Sequence, residues 1–190
     1  MALDPAPCSP WRTLSSREVY RNPWSVLLED RLAGPDGRPG MYGYFAERDA
    51  VLVLPLFADG TTILVRQWRH AYGCSSWELP CGAVEPGESA QDAAERELAE
   101  EAGVRADRWR ALGSFHPSDA RVAGRTSCYV AEGLESAESP GDASEFDLVR
   151  ARLPLAEAIA AVDQGRITHV ASMYLLLRIA RELHQPPPAR

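Results

Sequence analysis

The spacing of apolar positions changes near residue 85. Before it, apolar residues run in short blocks broken by turn formers. "WSVLLEDRL" and "MYGYFAE" flank "AGPDGRPG", which predicts a hairpin. "VLVLPLF" and "TTILVRQW" are separated by Ala58-Asp59-Gly60, which predicts a second. Pro55 places its strand near an edge or at a bulge. After residue 85 the period becomes helical: Ala90, Ala94, Leu98 and Ala102 form one i, i+4 stripe. Ser89 is an N-cap with Asp92 three residues on, and Gly103 suits a left-handed C′ position. Strands are expected at 109–115, 127–132 and 146–152, with a polar loop at 133–145. Helices at about 155–164 and 170–184 complete an α+β fold, helices packed on a mixed sheet.

Composition narrows the class. The 190 residues, 45% hydrophobic, suit one globular domain with a small N-terminal addition. A net charge of −7 argues against nucleic-acid or membrane affinity, but not against a phosphorylated substrate if a metal reverses the local field. The four cysteines, at 8, 74, 81 and 128, have no C-x-x-C spacing, so a zinc site is not expected. "MALDPAPCSP" lacks the apolar stretch of a signal peptide, and "AVLVLPLFA" is too short to cross a bilayer. A cytoplasmic chain with reduced thiols is the expectation.

One helix face then demands an explanation. Glu97, Glu100 and Glu101 fall three and four residues apart, so their carboxylates adjoin and repel. They also occupy the last turns, where the helix dipole disfavours negative charge. A solvated acidic face accounts for any single glutamate. A divalent cation offsets both penalties together, and hard oxygen donors select Mg²⁺ or Mn²⁺ over zinc. Gly82 and Gly87 upstream let the backbone fold closely enough for main-chain carbonyls to join the ligands.

Gly82, Glu88, Arg96, Glu97, Leu98, Glu100, Glu101, Gly103 and Val104 match the Nudix box in full, and residues 20–185 resemble a Nudix hydrolase. That resemblance implies a Nudix-type α/β/α sandwich with a mixed β-sheet, plus an N-terminal β-hairpin region. It implies Glu97 and Glu101 as the main metal ligands, with Glu100 a further ligand or one acting through water. The carbonyl of Cys81 would complete the set. Arg96 would hold the glutamates by charge-assisted hydrogen bonds, and Glu88 would tie loop to helix or bind a second ion.

"VRQWRHAYGCSSWELPCGAVEPGE" looks like the stretch that precedes the box in ADP-ribose pyrophosphatases and related nucleotide-sugar hydrolases. Carried over, Arg69 contacts the diphosphate, Glu85 the terminal ribose or a metal-bound phosphate, and Glu78 an inter-subunit or purine-side group. Trp24 stacks on the base, or else anchors its hairpin. For Trp77 core packing is the favoured reading. The general base is expected from the acidic loop, which offers Glu135, Glu138, Asp142 and Glu145. Glu145, just before a strand, is chosen. "FHPSDARV" keeps Pro117 but not the glycine of the Ser-Pro-Gly common in ADP-ribose hydrolases, so GDP-mannose or a broader nucleotide-sugar range stays open. A non-catalytic ADP-ribose-binding module and an isoprenoid diphosphate isomerase are the remaining alternatives. The implied organisation is a loose tail at 1–10, a strand region at 11–46 able to exchange across a homodimer, a hydrolase domain at 47–185, and a loose tail at 186–190.

Overall fold

The computed structural model describes residues 9–118, 120–137 and 147–184. By backbone contacts the chain divides into two units, Met1–Glu47 with Ser118–Gly124, and Arg48–Pro117 with Arg125–Arg190.

The first unit is an antiparallel sheet of β1 (Arg12–Arg21), β2 (Val26–Ala33) and β3 (Pro39–Phe45), in that order. β2 and β3 form the hairpin expected around "AGPDGRPG", with Ala33 opposite Pro39. β1 lies in the strand region expected at 11–46, where the pattern marks no individual strand before residue 24. Its pairing with β2 shifts register between Thr13 and Ser15 and again between Glu18 and Tyr20. Each such irregularity changes which face the following side chains take, so "RTLSSREVYR" shows no alternation to read. Segment 118–124 joins β3: the Phe45 amide donates to Arg121 O at 2.7 Å, and the Ala123 amide to Phe45 O at 2.9 Å.

The second unit holds β4 (Ala50–Pro55), β5 (Thr61–Arg69), β6 (Cys74–Glu78), β7 (Cys81–Ala83), β8 (Val104–Phe115), β9 (Thr126–Ser136) and β10 (Val149–Pro154). They make two sheets, β7-β4-β9-β8 and β10-β5-β6, with β4 and β9 parallel. Three helices follow the same pattern of layers: α1 (Ala90–Glu97), α2 (Leu155–Asp163) and α3 (Val170–His184). Alternation along β4 builds the sandwich. Leu52 and Leu54 enter a core with Leu155, Ala158, Leu175 and Leu176 of α2 and α3. Val51 and Val53 enter a second core with Ala93, Ala94 and Leu98 of the acidic helix. β9 divides likewise, Cys128 and Val130 against Tyr129 and Ala131. Two helix layers thus bury opposite faces of one mixed arrangement of strands, an α/β/α sandwich. Among the described residues no helix is long and apolar enough to cross a membrane.

Several expected boundaries move. Pro55 ends β4, an interior strand. The Leu56 amide bonds Ala131 O, so the position of Pro55 faces the other way, where β7 pairs only as far as Leu52. The missing N–H therefore removes no ladder bond. Residues 133–136, expected in a polar loop, continue β9. Their polarity misled because β8 supplies opposite charge, with Arg105 across from Glu135 and Arg108 across from Glu132. The segment between β5 and the acidic helix, given no strand by the sequence, contains two short ones, β6 and β7.

Candidate metal and pyrophosphate site

The acidic helix starts as its sequence requires. The Ser89 side chain accepts from the Asp92 amide at 3.1 Å, capping α1. Past Glu97 the helix widens into a π-helical turn, Leu98–Ala102, closed by Gly103 at φ 68°. Such turns are rare and gather at functional sites. Ala93, Ala94, Leu98, Ala99 and Ala102 are buried, which fixes the rotation of the helix about its axis.

That rotation does not send the glutamates to solvent. Glu101 is 1% exposed and Glu97 8%. The Cys81 amide donates to Glu101 Oε2 at 2.7 Å, tying the turn to β7. Gly82 lies against Glu97, and a Cβ there would stand 2.0 Å from Glu97 Oε1, so any side chain would displace that carboxylate. Arg96 spreads over the group. Nη1 donates to Glu97 Oε1 at 2.6 Å and to Glu100 Oε2 at 3.1 Å. Nε and Nη2 each donate to Glu88 at 3.0 Å, and Nη2 also to Ala83 O at 2.9 Å. The Arg96 guanidinium pulls Glu88 below the usual carboxylate range, and the glutamates in turn raise Arg96, Glu88 foremost. Glu88 also accepts from the Glu85 amide at 2.9 Å, tying loop to helix as expected.

One guanidinium thus serves three carboxylates, and a fourth lies on the same turn. Carboxylate oxygens converge here, with the Ala83 carbonyl of β7 bound to the same guanidinium. This donor set fits a hard divalent cation.

A second constellation lies behind β7. Arg69 grips Glu78 with two hydrogen bonds, Nε to Oε1 at 2.9 Å and Nη2 to Oε2 at 2.6 Å. Glu78 is 1% exposed. Burial pushes its pKa up, but the Arg69 hydrogen bonds and the nearby His169 overcome this and leave it lowered. His169 Nδ1 lies 3.6 Å from Glu78 and 2.9 Å from Ser172 Oγ, whose oxygen accepts from the Leu79 amide at 2.8 Å. Burial lowers the His169 pKa against the pull of Glu78. Burial pushes the Cys81 thiol well up, and Glu101 adds to this, so the sulfur is no ready nucleophile.

Of the other residues singled out, Glu85 is half-exposed and pairs with Arg48 at 2.6 Å. Trp77 packs partly buried against the larger core. Trp24 is 82% exposed in the first unit. Glu135 belongs to β9. Glu145, Glu138, Asp142 and Asp119 lie outside the described residues. His169 and Ser172 were missed. They stand about ninety positions from Glu78 and belong to no spaced motif, so no local signal marked them.

Comparison with known proteins gives the family and the fold. The NUDIX domain profile matches residues 46–173, and a nucleoside diphosphate sugar hydrolase N-terminal domain matches 11–45. The chain is 28% identical over 183 residues to an ADP-ribose pyrophosphatase of Mycobacterium tuberculosis, covering 94% of this chain and 88% of the relative. It is 30% identical over 176 residues to a methanol dehydrogenase activator of Bacillus methanolicus, covering 89% and 94%. A crystal structure of an ADP compounds hydrolase superposes with a TM-score of 0.80 at 22% identity, over 96% of this chain and 100% of that one, a likeness of fold.

Proposed function

From the premise that this chain belongs to the NUDIX family, we propose that it hydrolyses the pyrophosphate bond of ADP-ribose, giving AMP and ribose 5-phosphate. It is a Nudix pyrophosphohydrolase of the nucleotide-sugar kind. The observation that carries the reading is the convergence of Glu88, Glu97 and Glu100 on Arg96, with Glu101 fastened to Cys81 beside them.

In this reading Glu97, Glu100, Glu101 and the Cys81 carbonyl hold Mg²⁺, with Mn²⁺ as substitute, and Glu88 serves a further ion. When bound, the metal supplies charge neutralisation at the diphosphate and a lowered pKa for the attacking water. The chain does the rest. Arg96 keeps the three carboxylates from splaying apart, and the Gly82 gap lets Glu97 lie against β7. Glu78 orients the Arg69 guanidinium, whose one-third exposure supports a contact with a diphosphate oxygen. Glu85 hydrogen-bonds the terminal ribose, Trp24 stacks on the base, and Glu145 takes the proton from water. The exposed apolar residues of the first unit, Trp11, Leu14, Val19 and Met41, support a homodimer formed through that sheet.

Steady-state kinetics on ADP-ribose, GDP-mannose and NADH with Mg²⁺ test the reading. The highest kcat/KM is expected for ADP-ribose. A preference for GDP-mannose would move the substrate to the alternative, and ADP-ribose binding without turnover would make the chain a binding module.

A further inference from the structure

β10 carries two arginines two positions apart, hence on one face of the strand. Arg152 makes a surface strut. It pairs with Asp59 at 2.8 Å, donates to Thr61 Oγ1 at 2.7 Å and lies 3.7 Å from the centre of the Phe57 ring. Arg150 does something else. Its Nε donates to the main-chain carbonyl of Glu101 at 2.6 Å, and its Nη2 to that of Glu100 at 2.7 Å. Among the described residues no carboxylate forms an ion pair with it. The two prongs of one guanidinium therefore hold the backbones of two consecutive residues whose side chains belong to the acidic cluster.

The local physics favours such a grip. The last four carbonyls of a helix lack intrahelical donors, and a cation is favoured there by the helix dipole. Here the final turn is π-helical, a geometry with few intrinsic supports. Gly103 has a second reason to be glycine besides its φ of 68°. A Cβ there would stand 3.2 Å from Arg150 Nη1, in the space the guanidinium uses. Rotation of the peptide planes at 100 and 101 would swing both carboxylates, and the guanidinium fork opposes that rotation.

We propose that Arg150 is a positioning residue of the metal site, setting the aim of the Glu100 and Glu101 carboxylates through their backbone carbonyls. This rests on the reading of those carboxylates as metal ligands. Charge alone makes a contrary forecast: deleting a cation beside a metal site tightens metal binding. Arg150→Lys keeps the charge and loses the fork, so it separates the two.

The test is a Mn²⁺ titration of the substrate-free, full-length protein, followed by electron paramagnetic resonance. Wild type, Arg150→Lys, Arg150→Gln and, as control, Arg152→Lys are compared, each checked for fold by circular dichroism. The Mn²⁺ Kd rises about tenfold or more in both Arg150 variants. In Arg152→Lys it stays within about twofold, since that pair is exposed. In turnover assays the Mg²⁺ half-saturation rises in parallel, while KM for ADP-ribose at saturating Mg²⁺ is unchanged. Either folded Arg150 variant decides the matter. Wild-type Mn²⁺ affinity in Arg150→Lys, or tighter binding in Arg150→Gln, overturns the positioning role alone. Absence of Mn²⁺ binding by wild type overturns the metal reading and this proposal with it.

Discussion

Glu78 and Glu101 are both buried carboxylates, each 1% exposed, yet their surroundings meet that burial differently. Glu78 has the Arg69 guanidinium on both of its oxygens and His169 3.6 Å away. Charge is balanced, and the group behaves as a piece of structure. Glu101 is fastened by a neutral donor, the Cys81 amide, on a turn where Arg96 is divided among Glu88, Glu97 and Glu100. Carboxylates crowd together there. A buried pair left whole is tolerable, and crowded carboxylates suit a hard cation. The same residue type at the same burial thus meets a guanidinium on both oxygens in one place and a cluster of acids in the other.

The sharpest way to break this contrast is to neutralise each carboxylate. Glu101→Gln should lower kcat about a hundredfold or more with the fold intact, because a metal ligand is lost. Near-wild-type turnover would remove Glu101 from the ligand set. Arg96→Lys comes next. An ammonium cannot span three carboxylates, so kcat/KM should fall about tenfold and the Mg²⁺ requirement rise. A change in stability alone, with the Mg²⁺ curve unmoved, would make Arg96 a purely structural residue.

Glu78→Gln should act chiefly on stability, by about 1–3 kcal/mol in chemical denaturation, because it leaves Arg69 without its partner. Its pH dependence has a definite sign. The folded pKa of Glu78 is held below its ordinary 4.5, so its contribution is present above that value and is lost as pH falls through the folded pKa. The gap between wild type and variant should therefore narrow below about pH 4.5. A gap independent of pH would deny the ion pair its role. Smallest of all, Trp24→Ala should raise KM for ADP-ribose by about fivefold with kcat unchanged, the worth of one stacked ring. No change would leave Trp24 as an anchor of its hairpin.

The acidic turn was legible because its chemistry is local. Gly82 through Val104 lie within one loop and one helix, where spacing translates directly into faces. "VLVLPLF" was legible as a strand, but its interior place between two cores was not, because that depends on β7, β9 and the helices packed on both faces. What escaped was non-local or irregular. The partners of Glu78 on α3, and Arg150 on β10, are brought in by the fold from distant sequence. β1 hid behind two register shifts, and the end of β9 behind charges that only its partner strand explains. The burial of Glu97 and Glu101 was also unreadable, since the helix pattern placed them opposite the apolar stripe without showing that β7 covers them.

The most direct measurement is a Mg²⁺ titration of ADP-ribose turnover with products identified by mass spectrometry, run on wild type and Glu101→Gln together. The account predicts AMP and ribose 5-phosphate in amounts that saturate with Mg²⁺, vanish with a chelator and are nearly absent in the variant. Turnover undiminished by chelation, or equal in wild type and variant, would contradict it.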